Sequence, residues 1–303
     1  MYKGACVALV TPFKNGRVDE SKVRELVRFH IAGRTSAIVP CGSTGESATL
    51  SHEEHRRLVE IVVKEARGRI PVIAGTGSNS TAETLDLTRH AKKAGANAAL
   101  VIVPYYNKPT QRGMIEHFSL VARSVSLPMI IYNIPGRTGV NMLPATLLEI
   151  VRRNKNIVGV KESSANLDQV SEIACALQSR ADFSILSGDD SLTLPILSVG
   201  GRGVISVLAN ISPRDVQDLC LAVEDGNLAR AREIHVRTFP LTKALFLETN
   251  PAPIKTAMEA LKMCSAEMRL PMCAVSPENK KEILKALSDY GLRKNPLKEA
   301  ESW

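Results

Sequence analysis

The stretch Ile157-Val158-Gly159-Val160-Lys161-Glu162-Ser163 reads as a buried β-strand that carries a lysine near its carboxyl end. Burial disfavours the charged ammonium and pushes a lysine towards neutrality. The neutral amine is a nucleophile for a carbonyl carbon, and Schiff-base enzymes begin with that step. The competing reading is a lysine at a strand end that keeps its head in water. The ends of the other strands decide between the two.

Outward from this stretch, short apolar runs alternate with amphipathic helical stretches. Strands are expected at Cys6–Val10, Ala37–Pro40, Val72–Ala74, Ala98–Val103, Met129–Tyr132, Ile157–Lys161, Phe183–Leu186 and Gly203–Val207. Between them the spacing predicts helices over Glu20–Ala32, Ser51–Ala66, Ala82–Ala94, Ile115–Ser124, Pro144–Arg153, Leu167–Leu177 and Leu192–Ser198. Gly68, Gly95 and the pair Gly200-Gly201 follow three of these helices, as C-caps do. Strand–helix alternation implies parallel strands joined by crossover helices. Eight such units match an α/β fold of the (β/α)8 TIM-barrel type better than an open doubly wound sheet. Beyond Pro213 only helical stretches follow, over Arg214–Glu224, Ala229–Phe246, Ile254–Leu261 and Glu278–Tyr290. The expected domains are a catalytic barrel over residues 1–224 and a C-terminal helical extension over residues 225–303.

Composition sets the outer bounds. A chain of 303 residues suits one large barrel, and no apolar run approaches the length of a membrane-spanning helix. Met1-Tyr2-Lys3-Gly4 leads directly into an apolar strand without the pattern of a signal peptide. A soluble, cytoplasmic protein with no membrane partner is expected. Six cysteines (Cys6, Cys41, Cys175, Cys220, Cys264 and Cys273) lack close pairing, which argues against a disulfide framework and a structural zinc site. The net charge of +8 raises nucleic-acid binding, but the basic residues are interleaved with acids and form no basic arm. The excess reads as a solvated surface that mildly steers anionic substrates, with no nucleic-acid partner. Leu292 to Trp303 is mostly polar and is expected to fray.

In such a barrel the active site lies at the carboxyl ends of the strands. The polar segments there are Cys41-Gly42-Ser43-Thr44-Gly45-Glu46-Ser47, Gly75-Thr76-Gly77-Ser78-Asn79, Pro104-Tyr105-Tyr106-Asn107, Tyr132-Asn133-Ile134-Pro135-Gly136-Arg137-Thr138, Lys161-Glu162-Ser163 and Ser187-Gly188-Asp189-Asp190. They are rich in hydroxyls and hold no cluster of metal ligands. Alternation along the strand would turn Lys161, Gly159 and Ile157 inward and Val158 and Val160 towards the helices. Glu162 would then point away from the lysine, as a rim or supporting group. Gly42-Ser43-Thr44-Gly45 suits an anion through its amides and hydroxyls, or is ordinary turn and cap chemistry. Tyr132 can donate and accept a proton, or is a core residue with a satisfied hydroxyl. Arg137 can clamp a carboxylate bidentately, or pair on the surface. His52-Glu53-Glu54-His55 has its histidines at i and i+3, not the i and i+4 of a zinc-protease helix. Gly75-Thr76-Gly77 lacks the third glycine and the acid of a dinucleotide fingerprint.

Together the segments Gly42–Ser47, Pro104–Pro109, Tyr132–Thr138, Gly159–Glu162 and Ser187–Asp190, in this order and on these strands, carry a resemblance. From Gly4 to about Leu292 the chain resembles the dihydrodipicolinate synthase family, among the pyruvate-dependent class I aldolases that include N-acetylneuraminate lyase. The resemblance implies that Lys161 forms an imine with pyruvate and that no separate cofactor is used. It implies a proton relay of Tyr132, Thr44 and Tyr106, the last reaching in from a neighbouring subunit of a homotetramer built as a dimer of dimers. Ser43 and Thr44 would hold the pyruvate carboxylate, with Gly188 and Ile205 in the substrate pocket. Arg137 would bind the carboxylate of the second substrate, L-aspartate-4-semialdehyde, in the diaminopimelate route to L-lysine. Arg137 favours the synthases over the lyases, whereas Ser43-Thr44 is the lyase pattern in place of two threonines.

In lysine-inhibited members of that family the effector sits at a subunit interface among residues matching Ser47, Ala48, His52, His55, Asn79, Glu83 and Tyr105. Glu83 offers a carboxylate for its amine, and the resemblance implies feedback inhibition by L-lysine. The plainer reading makes His52 and His55 a polar helix face. Two other functions compete: a pyruvate aldolase or lyase acting on a sugar acid, and a non-enzymatic barrel that senses keto acids.

Overall fold

In the computed structural model, which describes residues 1–300, the eight expected strands form one parallel sheet. They are β1 (Gly4–Ala8), β2 (Ala37–Val39), β3 (Ile73–Gly75), β4 (Ala98–Ile102), β5 (Met129–Asn133), β6 (Ile157–Glu162), β7 (Ser184–Ser187) and β8 (Gly203–Ser206). Pairing runs β2-β1-β8-β7-β6-β5-β4-β3, and a parallel bridge between Ile38 and Val72 joins the two ends into a barrel. The outer helices are α1 (Glu20–Ala32), α2 (His52–Ala66), α3 (Thr81–Ala94), α4 (Gln111–Ser124), α5 (Pro144–Arg153), α6 (Leu167–Leu177), α7 (Thr193–Ser198) and α8 (Pro213–Glu224). Three more follow: α9 (Leu228–Ala244), α10 (Ala252–Ala260) and α11 (Pro277–Tyr290).

The helix starts follow from their caps. Asp19, Ser51, Ser80, Thr110 and Asn166 each accept a first-turn amide with the side chain. At α2 the reciprocal Ser51–Glu54 bonds complete a capping box. Two apolar layers result. The interior one holds small side chains from the early strands (Cys6, Ala8, Ala37) and larger ones from the late strands (Ile130, Leu186, Ile205). The outer layer lies between strands and helices.

Three sequence expectations are corrected. The alternation along β6 fails at its start, because Met129 pairs with Ile157 but Ile130 pairs with Gly159. Val158 is the extra residue of this bulge. Ile157 therefore joins the outer layer and Val158 packs on the interior one, the reverse of the simple pleat. Beyond the bulge Val160 faces the helices as expected. Secondly, Glu162 is no rim group: it is buried, with its carboxylate among amides. Thirdly, the tail docks rather than frays over its described part. Leu292 packs on the core, Pro296–Glu299 form a helical turn, and Leu297 is buried. Its last three residues lie outside the described range. A hairpin of Phe13–Lys14 and Arg17–Val18 and a turn of helix at Pro135–Thr138 were not anticipated.

Candidate active site

Lys161 sits one residue before the end of β6 and Tyr132 at the matching place on β5, as direct register partners. Both are buried, with Lys161 6% exposed. The lysine Nζ lies 4.1 Å from the centroid of the Tyr132 ring, a cation–π distance that holds the amine beside the phenol. Gly188, on the loop after β7, explains how the lysine stem fits. A Cβ at that position would stand 3.0 Å from Lys161 Cε and overlap Ser163 Oγ. Ile205 on β8 pairs with Cys6 on β1 in the interior layer. Burial pushes the Cys6 thiol up to about 12, while the charge of Lys161 pulls it down. Burial also raises Asp189 above the usual carboxylate range against the pull of Lys161.

The loop after β2 brings Ser43 and Thr44 to the same end of the barrel. Its path depends on left-handed conformations at Cys41 and Glu46, with φ of 57° and 53°. Thr44 is buried, and its Oγ1 accepts a 2.9 Å hydrogen bond from Asn250 Nδ2. Arg137 donates through Nη2 to the main-chain carbonyl of the same Asn250 at 3.0 Å. One residue of the C-terminal segment thus touches both the hydroxyl and the guanidinium.

A cavity of about 960 Å³ opens over these groups. Its wall includes Ser43, Tyr132, Arg137, Tyr105, Tyr106 and Asn250. Ser47, Ala48, His52, His55 and Glu83 line the same cavity, so most residues of the two sequence constellations share one space. Lys161, Thr44, Gly188, Ile205 and Asn79 are not on its wall; the main chain of Asn79 accepts from Asn107 Nδ2 instead. Tyr106 is 88% exposed, with a left-handed φ of 69°. His52 Nε2 lies 2.6 Å from Glu83 Oε1, and Ser78 donates to the same carboxylate. The hydrogen bonds from Ser78 and His52 hold Glu83 below the ordinary carboxylate range. His55 is buried, with Nε2 2.8 Å from the Gly75 carbonyl. Of the two histidines, His52 is exposed and His55 is buried.

Residues 1–290 match the family described as the dihydrodipicolinate synthetase family. The chain belongs to the dihydrodipicolinate synthetase family. Among its relatives, the 4-hydroxy-tetrahydrodipicolinate synthase of Geobacter sulfurreducens is 51% identical over 292 residues, covering 96% of this chain and all of the relative. The crystal structure of dihydrodipicolinate synthase from Aquifex aeolicus superposes with a TM-score of 0.95 at 52% identity, covering 97% of this chain and 99% of the other. A dihydrodipicolinate synthase structure from Cyanidioschyzon merolae with lysine bound superposes with a TM-score of 0.91 at 41% identity, covering 96% and 99% of the two chains.

Two residues of this dihydrodipicolinate synthetase family member escaped the sequence reading. Asn250 carries no local signal, since it contacts Thr44 across 206 residues of chain. Lys255 did leave one: a lone charged residue in the otherwise uncharged run Pro253–Met258 of α10. It is fully buried, and its Nζ donates to Glu46 Oε1 at 2.6 Å, to the Thr11 carbonyl at 2.9 Å and to the Glu267 carbonyl at 2.5 Å. Glu46 ends the Ser43-Thr44 loop, so this ion pair fixes the loop to the C-terminal helices. Burial pulls Lys255 below the ordinary lysine range in spite of Glu46.

Proposed function

We propose that the chain is a 4-hydroxy-tetrahydrodipicolinate synthase that condenses pyruvate with L-aspartate-4-semialdehyde through an imine on Lys161. The observation that carries the reading is the buried Lys161 amine held 4.1 Å over the Tyr132 ring. The amine adds to C2 of pyruvate, and water leaves to give the imine. Loss of a proton from C3 gives the enamine, whose C3 attacks the aldehyde carbon of the second substrate. The amine of that substrate then adds to C2 and displaces the lysine nitrogen, which closes the ring and frees the enzyme. Tyr132 moves protons to and from the adduct, Thr44 and Tyr106 complete the relay, and Ser43 and Thr44 hold the pyruvate carboxylate. Gly188 and Ile205 shape the pocket around the adduct.

Arg137, on the cavity wall, is the clamp for the carboxylate of the semialdehyde. The exposure of Tyr106 supports its insertion into a neighbouring subunit of a homotetramer. Ser47, Ala48, His52, His55, Asn79, Glu83 and Tyr105 form the L-lysine site, with Glu83 facing the effector ammonium. The relative with lysine bound supports that assignment. No helix among the described residues is long and apolar enough to cross a membrane.

Borohydride reduction in the presence of pyruvate, followed by peptide mass mapping, tests the imine. A reduced pyruvate adduct on the Lys161 peptide is expected, and an adduct elsewhere or none overturns the mechanism. Condensation with the semialdehyde, measured beside cleavage of 2-keto-3-deoxy sugar acids and N-acylneuraminate, tests the substrate. Cleavage without condensation would assign the chain to the sugar-acid lyases.

A further inference from the structure

Glu162 is 2% exposed, and its carboxylate is met by neutral hydrogen-bond donors. Oε1 accepts from the Ser164 amide at 2.8 Å and from Asn133 Nδ2 at 3.1 Å. Oε2 accepts from Asn133 Nδ2 at 3.2 Å and from Gln169 Nε2 at 3.1 Å. The amides continue the lattice. Asn133 Nδ2 also donates to Asn141 Oδ1, and Asn141 Nδ2 donates to Gln169 Oε1. Asn133 Oδ1 accepts from the Met142 amide. Each of these partners of the Glu162 carboxylate is a donor, so only a side chain that accepts at both oxygens completes the set. Anchoring a buried negative charge on neutral amides is unfavourable unless its lone pairs are used, and here both oxygens are used twice.

The lattice joins places that the reaction needs in register. Asn133 follows Tyr132 on β5, and Glu162 follows Lys161 on β6. Asn141 and Met142 follow the turn that carries Arg137, and Gln169 lies in the first turn of α6. The main chain extends the same hub. The Ser163 amide donates to the Asn133 carbonyl at 2.9 Å, and the Gly188 amide to the Glu162 carbonyl at 2.8 Å. Gly188 is the residue whose missing Cβ makes room for the Lys161 stem.

We propose that Glu162 is a positioning residue of the condensation. Its carboxylate is the acceptor hub that sets the spacing of Lys161, Tyr132 and the Arg137 turn. This rests on the reaction assigned above. Glu162 touches no reacting atom and moves no proton.

The test uses full-length enzyme with Glu162→Gln, an isosteric change that turns an NH2 group towards donors. It is compared with the swap Glu162→Gln/Gln169→Glu. In the swap, the amide oxygen introduced at position 162 accepts from Ser164 and Asn133. The carboxylate introduced at position 169 accepts from the new amide and from Asn141. The shorter hydrogen bonds of the set are thereby restored with the charge moved by one side chain, while the 3.2 Å Asn133–Oε2 and 3.4 Å Gln169–Asn141 contacts are lost. Measured are kcat, KM for each substrate, borohydride trapping of pyruvate and Tm. The single variant is expected to lose at least tenfold in kcat and to raise KM for the semialdehyde more than KM for pyruvate. It should still trap pyruvate on Lys161, and the swap should recover kcat to within about threefold of wild type. A single variant within twofold of wild type in kcat and both KM values overturns the proposal. So does a folded swap no more active than the single variant, or a pair in which neither folds. If only the swap folds, its activity alone decides. Wild-type enzyme that fails to trap pyruvate sinks the assigned reaction instead, which keeps the two failures apart.

Discussion

The hydroxyl of Thr44 can accept two hydrogen bonds and donate one. Asn250 Nδ2 fills one acceptor position, which leaves the threonine proton and one lone pair for other groups. Asn250 therefore touches Thr44 and Arg137 through different atoms, and the two effects can be separated. Asn250→Ala removes the side-chain bond but keeps the main-chain carbonyl that Arg137 uses. We predict that kcat falls about tenfold, the equivalent of one net hydrogen bond of ~1.4 kcal/mol. KM for the semialdehyde should stay within twofold. Steady-state kinetics at saturating pyruvate check this, and a rise in KM with kcat intact would contradict it. At this scale Lys161, Tyr132, Ser43, Thr44 and Arg137 were legible because the ends of parallel barrel strands point at one place. Asn250 was not, because nothing local marks a contact made across 206 residues. Val158 was not, because a bulge adds one residue without breaking the apolar run.

Elements were read from periodicity, and the eight strands and the helices around them lie where the apolar spacing puts them. The Phe13–Val18 hairpin is too short for a pattern to form, and its Phe13 is buried under two cations of the C-terminal segment, Lys255 and Arg269. The Glu46 carboxylate accepts from the Lys255 ammonium and from the Arg269 amide, and the same ammonium also donates to the Thr11 carbonyl. Removing one partner of a buried ion pair leaves the other charge without compensation, at roughly 3–5 kcal/mol. Lys255→Met and Glu46→Gln are each expected to lower stability by that order. The double variant should lose less than the sum, because no unpaired charge remains. Urea unfolding of the four proteins measures the coupling, and additive losses would show that the two groups act independently. The loss of activity in Lys255→Met should exceed that in a variant equally destabilised elsewhere, since Glu46 ends the Ser43-Thr44 loop.

For the whole molecule, two of the three buried histidines on the outer helices, the two without a main-chain acceptor, tie stability to pH most strongly. His30 on α1 is held down to about 3 and His117 on α4 to about 4, in both cases by burial. Each has one ring nitrogen against a threonine hydroxyl, Thr35 or Thr81, and the other without a partner among the described residues. A histidine of depressed pKa binds fewer protons folded than unfolded, so stability rises with pH through this range. The contribution is complete above the unfolded value of about 6.5 and is lost as pH falls towards 4 and then 3. We expect a loss on the order of 3 kcal/mol per ring by pH 4, beginning above the range where carboxylates titrate. Denaturant melts between pH 4 and 7 should show this slope, and His117→Asn should flatten it. An unchanged slope in that variant would place the acid sensitivity elsewhere.

The β1 strand pairs with β8 to close the barrel, and the Thr44 hydroxyl takes its hydrogen bond from Asn250, far along the chain. For the ribosome this order has a meaning. Lys161, Tyr132 and every barrel strand are translated before the amide that orients Thr44 and the ammonium that fixes Glu46 exist. A nascent chain released after Glu224 would carry the reactive lysine but lack both Asn250 and Lys255, so competence arrives only near the end of synthesis.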